Sequence, residues 1–269
     1  MLTAAYLLSV SGMIILPIVL VFYLTRKFGL SWKLFLAGGL TFIASQVLHI
    51  PVLYGLTALF KNGVLPAIPQ AWTALFNAIL LGLLAGIFEE TARWILYKFI
   101  LKNTKTWNEG VLVGVGHGGI EAVLLGFAAF ASVASMIAMR NADLSSLGIP
   151  ANQMELTKQQ LAAFWSAPVY MAFLGLIERV FAICLHLSLS VMVLYSVAYK
   201  KPLWFWMALL WHTIVDALTV YLAPIVGTVG VEGVIAVCAV ISLVILFRMK
   251  SLFVQPQAGA FSAIASQIS

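Results

Sequence analysis

Carboxylates and histidines recur in this chain inside segments that are otherwise apolar enough to cross a lipid bilayer. An ionisable side chain at the centre of a membrane helix costs roughly 2.5–3.5 kcal/mol on insertion scales. A chain keeps a cluster of such groups only where they satisfy one another or do chemistry. The candidates for a functional site are Glu89, Glu90, Arg93, His117, Glu121, His186, His212 and Asp216.

The first motif is Phe88-Glu89-Glu90-Thr91-Ala92-Arg93. The arginine lies three and four residues after the two glutamates, so either carboxylate can pair with it along a helix. Neighbouring helix positions point about 100° apart, so one glutamate can bind Arg93 while the other faces a cavity. A purely structural ion pair needs only one glutamate, and the second therefore favours a functional role.

The second motif, Gly114-Val115-Gly116-His117-Gly118-Gly119-Ile120-Glu121, places a histidine and a glutamate one helical turn apart. A carboxylate in that position can fix the tautomer of His117. Glycines at 110, 114 and 118 repeat every four residues, and this spacing predicts that a neighbouring helix packs closely against them.

Two further motifs come later in the chain. Glu178-Arg179 precedes His186, which has no partner close in sequence, so a packing role stays open for it beside a catalytic one. In His212-Thr213-Ile214-Val215-Asp216, the four-residue spacing allows Asp216 to accept a hydrogen bond from an imidazole, or both groups to face one cavity.

The composition indicates a membrane protein. The chain is 63% hydrophobic and 9% charged, against about 25% charged in soluble domains. We predict an all-α, polytopic integral membrane helical bundle of one domain, residues 1–254, followed by a short polar tail, residues 255–269. The outer connection should contain a short surface helix near residues 154–165. The seven predicted transmembrane helices are 3–24, 34–59, 74–100, 110–138, 169–198, 203–223 and 228–247.

The basic residues indicate an orientation with the N-terminus outside and the C-terminus inside. Cytoplasmic loops then hold ten lysines and arginines and outer loops three, a positive-inside bias. This bias explains the net charge of +6, so nucleic acid is not an expected partner. We expect a multi-pass protein of a bacterial cell membrane, with the lipid bilayer as its environment.

In this topology Glu89, Glu90, His117, His186 and His212 all lie roughly 10–18 Å from the cytoplasmic surface, at 1.5 Å per helical residue. Groups on four different helices thus share one layer. Carboxylate and histidine together suit general acid–base work on water. The same groups can instead bind Zn²⁺, with His117, His186 and His212 as candidate ligands, although no His-Glu-x-x-His segment is present.

The order of these motifs resembles the superfamily of membrane-embedded proteases that includes the type II CAAX prenyl proteases and the PrsW proteases. The Gly-His-Gly-Gly-Ile-Glu-Ala segment and the number of spans look most like its YhfC-type branch. The resemblance implies Glu89 as general base, Arg93 as the residue that positions it, and His212 with Asp216 in oxyanion contacts. Here two residues rather than three separate Glu-Glu from Arg, and Phe181 to His186 is one residue longer than the usual motif. Whether His117 or His186 is the second-motif histidine therefore stays open.

The sequence thus predicts an intramembrane endopeptidase that cleaves a membrane-associated protein or peptide, using water activated by Glu89 with Glu90, with or without a metal. Two other functions are compatible with the same cluster. It can form the relay of a proton- or ion-coupled transporter, or hold together a catalytically silent scaffold. Transporters often show repeat symmetry, and no convincing internal repeat is found.

Overall fold

The computed structural model describes residues 1–253, which form helices without any β-strand in that range. The helices are α1 (Leu2–Phe28), α2 (Trp32–Lys61), α3 (Gln70–Ile95), α4 (Trp107–Met139), α5 (Ala151–Ser166), α6 (Leu174–Ala198) and α7 (Leu203–Phe253). A π-helical turn, Leu96–Ile100, extends α3, and a 3₁₀ turn, Val169–Phe173, precedes α6. Within this range six helices, all except α5, are long and apolar enough to span a membrane. The predicted all-α membrane bundle is confirmed, whereas the predicted tail 255–269 lies outside the described residues.

Helix α7 contains 51 residues and reverses direction at Gly227. A straight helix of that length would extend about 76 Å, far beyond a hydrocarbon core of about 30 Å. Gly227 has φ 70° and ψ 176°, a conformation that costs little without a Cβ. Trp211 Nε1 donates to Ser242 Oγ at 2.9 Å, so the halves of α7 before and after Gly227 pack against each other as a hairpin. The six helices therefore give the seven crossings that the sequence predicts.

Glycines set the distances at which α4 packs on its neighbours. A Cβ on Gly116 would lie 2.0 Å from the carbonyl oxygen of Phe35 on α2, and one on Gly38 would lie 2.1 Å from that of Val113. On the other side, a Cβ on Gly114 would lie 2.9 Å from the backbone of α6, and one on Gly118 would lie 2.8 Å from the ring of His186. The predicted close helix packing at these glycines is confirmed, and α6 is the partner.

The outer connection contains α5, which includes the short helix predicted near residues 154–165. None of its residues is buried. Its last turns contact the rest of the chain through Phe164, which stacks on Tyr6 of α1 at 4.4 Å, and Trp165, which lies under the guanidinium of Arg140. That α5 lies on the membrane surface stays a prediction.

The orientation in the membrane also stays a prediction, and reporter fusions test it. A reporter fused after residue 150 should lie outside, and one fused at the C-terminus should lie inside. The reason is that an odd number of predicted crossings separates the two fusion points. Both fusions on the same side would remove one crossing and contradict the hairpin at Gly227.

Candidate active site

Side chains from four helices meet in the interior of the bundle. Glu89, Glu90 and Arg93 come from α3, His117 from α4, His186 from α6 and His212 from α7, and each is at most 6% exposed. The ring centroids of His117 and His186 are 5.0 Å apart, and those of His186 and His212 are 5.6 Å apart. The layer of groups expected from the sequence is thus one compact cluster.

Glu90 binds two of these groups and is fully buried. One of its oxygens accepts hydrogen bonds from the Arg93 guanidinium and from His212 Nδ1, the latter at 2.7 Å. Helix α3 lies close enough to α7 for this contact because a Cβ on Gly86 would lie 2.7 Å from Thr213 Oγ1. Glu90 therefore neutralises Arg93 and fixes the orientation of the His212 ring.

Glu89 has a different environment, since it lines a polar cavity. Gln46 of α2 donates to its Oε1 at 3.2 Å. Its Oε2 lies 2.9 Å from His117 Nε2, 3.7 Å from Arg93 Nη2 and 3.8 Å from His212 Nε2. Oε2 of Glu89 is consequently the atom on which the cationic and imidazole groups of the cluster converge.

His117 is held between α2 and α3. Its Nδ1 lies 2.8 Å from Thr41 Oγ1, and its Nε2 faces Glu89. The ring of Phe42 packs edge-on against it at 5.4 Å. With both nitrogens in contact and no exposed surface, the ring has a single defined orientation.

His186 forms the link to a second group of charges. Arg93 Nη2 donates to its Nδ1 at 2.8 Å. Because a guanidinium only donates, Nδ1 must accept, and Nε2 carries the hydrogen that it donates to Glu121 at 2.6 Å. Glu121 also accepts from Arg179 Nη1 at 2.6 Å, and Arg179 in turn pairs with Glu178. Both ring nitrogens of His186 are therefore hydrogen-bonded.

The cavity beside this cluster has a volume of about 110 Å³. Glu89, His186, His212 and Asp216 line it, together with Glu121, Glu178, Arg179 and apolar side chains from α6 and both halves of α7. The Asp216 side chain is 35% exposed, and its Oδ2 lies 3.5 Å from His212 Nε2. The cavity thus provides polar space for a few water molecules beside the buried carboxylate.

Comparison with known proteins places this architecture in a family. The family described as YhfC intramembrane metalloprotease matches residues 12–241. The chain belongs to this family. It is also 30% identical, over 260 residues, to a Bacillus subtilis (strain 168) protein described as "Uncharacterized membrane protein YhfC", and the match covers 93% of this chain and 98% of the relative. No solved structure matches the chain. The family and the apolar helices together show a multi-pass integral membrane protein.

The cluster fits the metal that the family description implies. Glu89, His186 and His212 each offer one ligand atom, and these atoms lie within 4.8 Å of one another. One carboxylate and two imidazoles form the donor set of many catalytic zinc sites. His212 also has the outer partner typical of a metal ligand, because its Nδ1 donates to Glu90 and leaves Nε2 toward the cavity. A divalent cation is therefore compatible with these residues.

One of the partner assignments made from the sequence is wrong. Glu121 contacts His186 and Arg179 rather than His117. The four-residue spacing places Glu121 and His117 on one side of α4, but packing turns the histidine toward α2 and α3 and the glutamate toward α6. Glu178 pairs with its neighbour Arg179.

Arg93 contacts both glutamates, and Asp216 lies close to His212. Arg93 binds Glu90 more closely than Glu89, from whose Oε2 its Nη2 lies 3.7 Å away. Asp216 lies near His212 without a hydrogen bond to it, among the contacts that the structure describes.

Sequence reasoning missed two residues of the site, both on α2. Thr41 contacts His117 and Gln46 contacts Glu89. Neither side chain titrates, so a search for ionisable groups passes over them. The sequence feature that could have pointed to α2 is the glutamine in the middle of an apolar span, since a side-chain amide in a membrane helix needs a hydrogen-bond partner.

Proposed function

We propose that this protein is an intramembrane endopeptidase that hydrolyses a peptide bond in a membrane-associated protein or peptide. The observation that carries this proposal is the position of Glu89, a buried carboxylate whose Oε2 meets two histidines at the edge of a polar cavity. The family description supports the same reaction. The order of the motifs further supports placement beside the CAAX and PrsW proteases.

The roles of the residues follow from their contacts. Glu89 takes the proton of a water molecule in the cavity and can return it to the leaving amine. Glu90 orients His212 by accepting from Nδ1, and Arg93 offsets the charges of the two glutamates. Glu121 orients His186. The helices around the cavity limit the water that reaches the reacting atoms.

The residues that would hold a cation are Glu89, His212 and a second histidine, either His117 or His186, and with a cation bound Glu89 would act as a ligand instead of as the base. When bound, a divalent cation such as Zn²⁺ would polarise the water and the substrate carbonyl. Asp216 lies beside His212 at the cavity and would help to keep the imidazole in place. The substrate would be a membrane protein, since the site lies within apolar helices.

Metal removal tests the proposal. Purified protein should contain close to one divalent metal per chain, and treatment with a chelator should abolish cleavage, which the same metal then restores. Cleavage is measured by reconstituting the protein with a membrane-protein extract and identifying new N-termini by mass spectrometry. A Glu89→Gln sample serves as the blank. Cleavage that persists in metal-free protein would contradict a metal-dependent mechanism. The absence of any Glu89-dependent cleavage would contradict the proposal that the protein is a protease.

A further inference from the structure

Thr41 has only one hydroxyl hydrogen but two close neighbours. Its Oγ1 lies 2.6 Å from the carbonyl oxygen of Gly38 and 2.8 Å from His117 Nδ1. A carbonyl oxygen only accepts, and two oxygens at that distance repel unless a hydrogen lies between them. Thr41 therefore donates to Gly38 and must accept from His117, so Nδ1 of His117 carries a hydrogen.

The hydrogen on Nδ1 decides what His117 presents to Glu89. A neutral imidazole has one hydrogen, so Nε2 of His117 then carries a lone pair. That lone pair lies 2.9 Å from Glu89 Oε2, which is itself an acceptor when ionised. Two acceptors at this distance repel each other unless a proton or a metal cation lies between them.

The other two histidines differ in this respect. Nδ1 of His212 donates to Glu90, so a neutral His212 also has its lone pair on Nε2, which faces Glu89 Oε2 at 3.8 Å. His186 instead uses one nitrogen to accept from Arg93 and the other to donate to Glu121. A ligand atom of His186 lies within 4.8 Å of those of Glu89 and His212, but His186 can bind a cation only by giving up one of these hydrogen bonds.

We propose that Thr41 is a positioning residue that fixes His117 as a cation ligand, so that Glu89, His117 and His212, rather than His186, form the ligand set for a divalent metal. This inference rests on the proposed function only for the presence of the metal. Gln46 supports the arrangement, because it donates to Oε1 of Glu89 and leaves Oε2 for the cation. His186 then acts through Arg93 and Glu121 and orients its neighbours.

Zinc affinity of purified variants in detergent tests the proposal. Thr41→Val removes the acceptor and should weaken zinc binding about tenfold to a hundredfold, the usual effect of losing an outer partner of a ligand. Thr41→Ser keeps the hydroxyl and should bind zinc like the wild type. Thr57→Val is the matched control, because Thr57 lies on the same helix and, in the described part of the chain, its hydroxyl binds only the carbonyl oxygen of Leu53. Equal affinity in Thr41→Val and Thr57→Val would overturn the proposal.

Two ligand variants separate the histidines. His117→Gln should lose most of the zinc affinity, whereas His186→Gln should keep most of it. The opposite ranking would assign the site to His186. Zinc binding is measured without proteolysis, so a protein that binds zinc through His117 and cleaves nothing refutes only the protease. If the protein is a metal-dependent protease but its zinc affinity does not depend on Thr41 or His117, only this inference is refuted.

A spectroscopic measurement on the unmodified protein does not depend on how the variants fold. Nitrogen NMR of metal-free protein should show His117 as the tautomer with hydrogen on Nδ1, its signal being assigned by its loss in His117→Gln. Zinc should then shift the Nε2 resonance and leave the hydrogen on Nδ1. A hydrogen on Nε2 alone in the metal-free protein would show that Nδ1 does not donate to Thr41 and would overturn the proposal.

Discussion

Glu89→Gln should abolish most cleavage while the protein still inserts and folds. Removal of a general base costs roughly 10²–10⁴ in rate. The amide keeps the shape of the side chain, can accept from Gln46 and can donate to the lone pair on His117 Nε2, so the local contacts survive. The measurements are the rate of cleavage and thermal unfolding in detergent, made on the same preparation.

Glu155→Gln is the matched control for this variant. Glu155 lies exposed on α5, where, within residues 1–253, it accepts only from Gln159 at 3.3 Å. The control should change neither rate nor stability. If Glu89→Gln retains full activity, the catalytic carboxylate must be Glu90 or Glu121. If it unfolds, Glu89 is structural, and the cluster is better explained as the polar core of a scaffold.

The transmembrane helices were predictable because apolar length and helix-breaking residues are local properties of the sequence. The predicted span 34–59 lies within α2, Trp32–Lys61, and the span 110–138 within α4, Trp107–Met139. The position at which α7 breaks could also be predicted, since Gly227 separates two apolar segments that are each long enough to cross a bilayer. The glycine spacing on α4 likewise predicts a close helix contact without naming the partner.

The pairing within the cluster could not be predicted, because it depends on how each helix is rotated about its axis. Sequence spacing allowed Arg93 to bind either glutamate, and packing against α7 turned Glu90 toward both Arg93 and His212. The rotation of α4 about its own axis likewise directs Glu121 to α6. Tertiary contacts between helices far apart in sequence determine these choices, and no periodicity within one helix contains them.

The choice between His117 and His186, which the resemblance leaves open, is not decided by position either. Both rings lie in the cluster, 5.0 Å apart. The two histidines differ in the hydrogen bonds of their Nδ1 atoms. Nδ1 of His186 accepts from an arginine, whereas Nδ1 of His117 donates to a threonine hydroxyl. Uncharged residues of α2 thereby affect the chemistry of the charged ones, which a motif of titratable residues does not reveal.

Arg93→Ala should lower the free energy of unfolding by about 3–5 kcal/mol, the usual cost of leaving a buried charge without its partner. Arg93 is fully buried, binds Glu90 and His186, and lies near Glu89. Its loss leaves two neighbouring carboxylates without a cation. Activity should fall together with stability, in contrast to Glu89→Gln. Thermal and denaturant unfolding in detergent measure the difference.

The double variant Arg93→Ala with Glu90→Gln identifies the cause. If the cost comes from an unpaired charge on Glu90, removing that charge should restore part of the lost stability, and the two substitutions should not be additive. Arg179→Ala is the comparison, because Arg179 pairs with Glu121 and with Glu178, whose side chain is 38% exposed. Water can solvate that carboxylate, so the loss should be smaller than for Arg93. Equal losses for the two arginines, or no recovery in the double variant, would mean that Arg93 stabilises the bundle by filling space rather than by its charge.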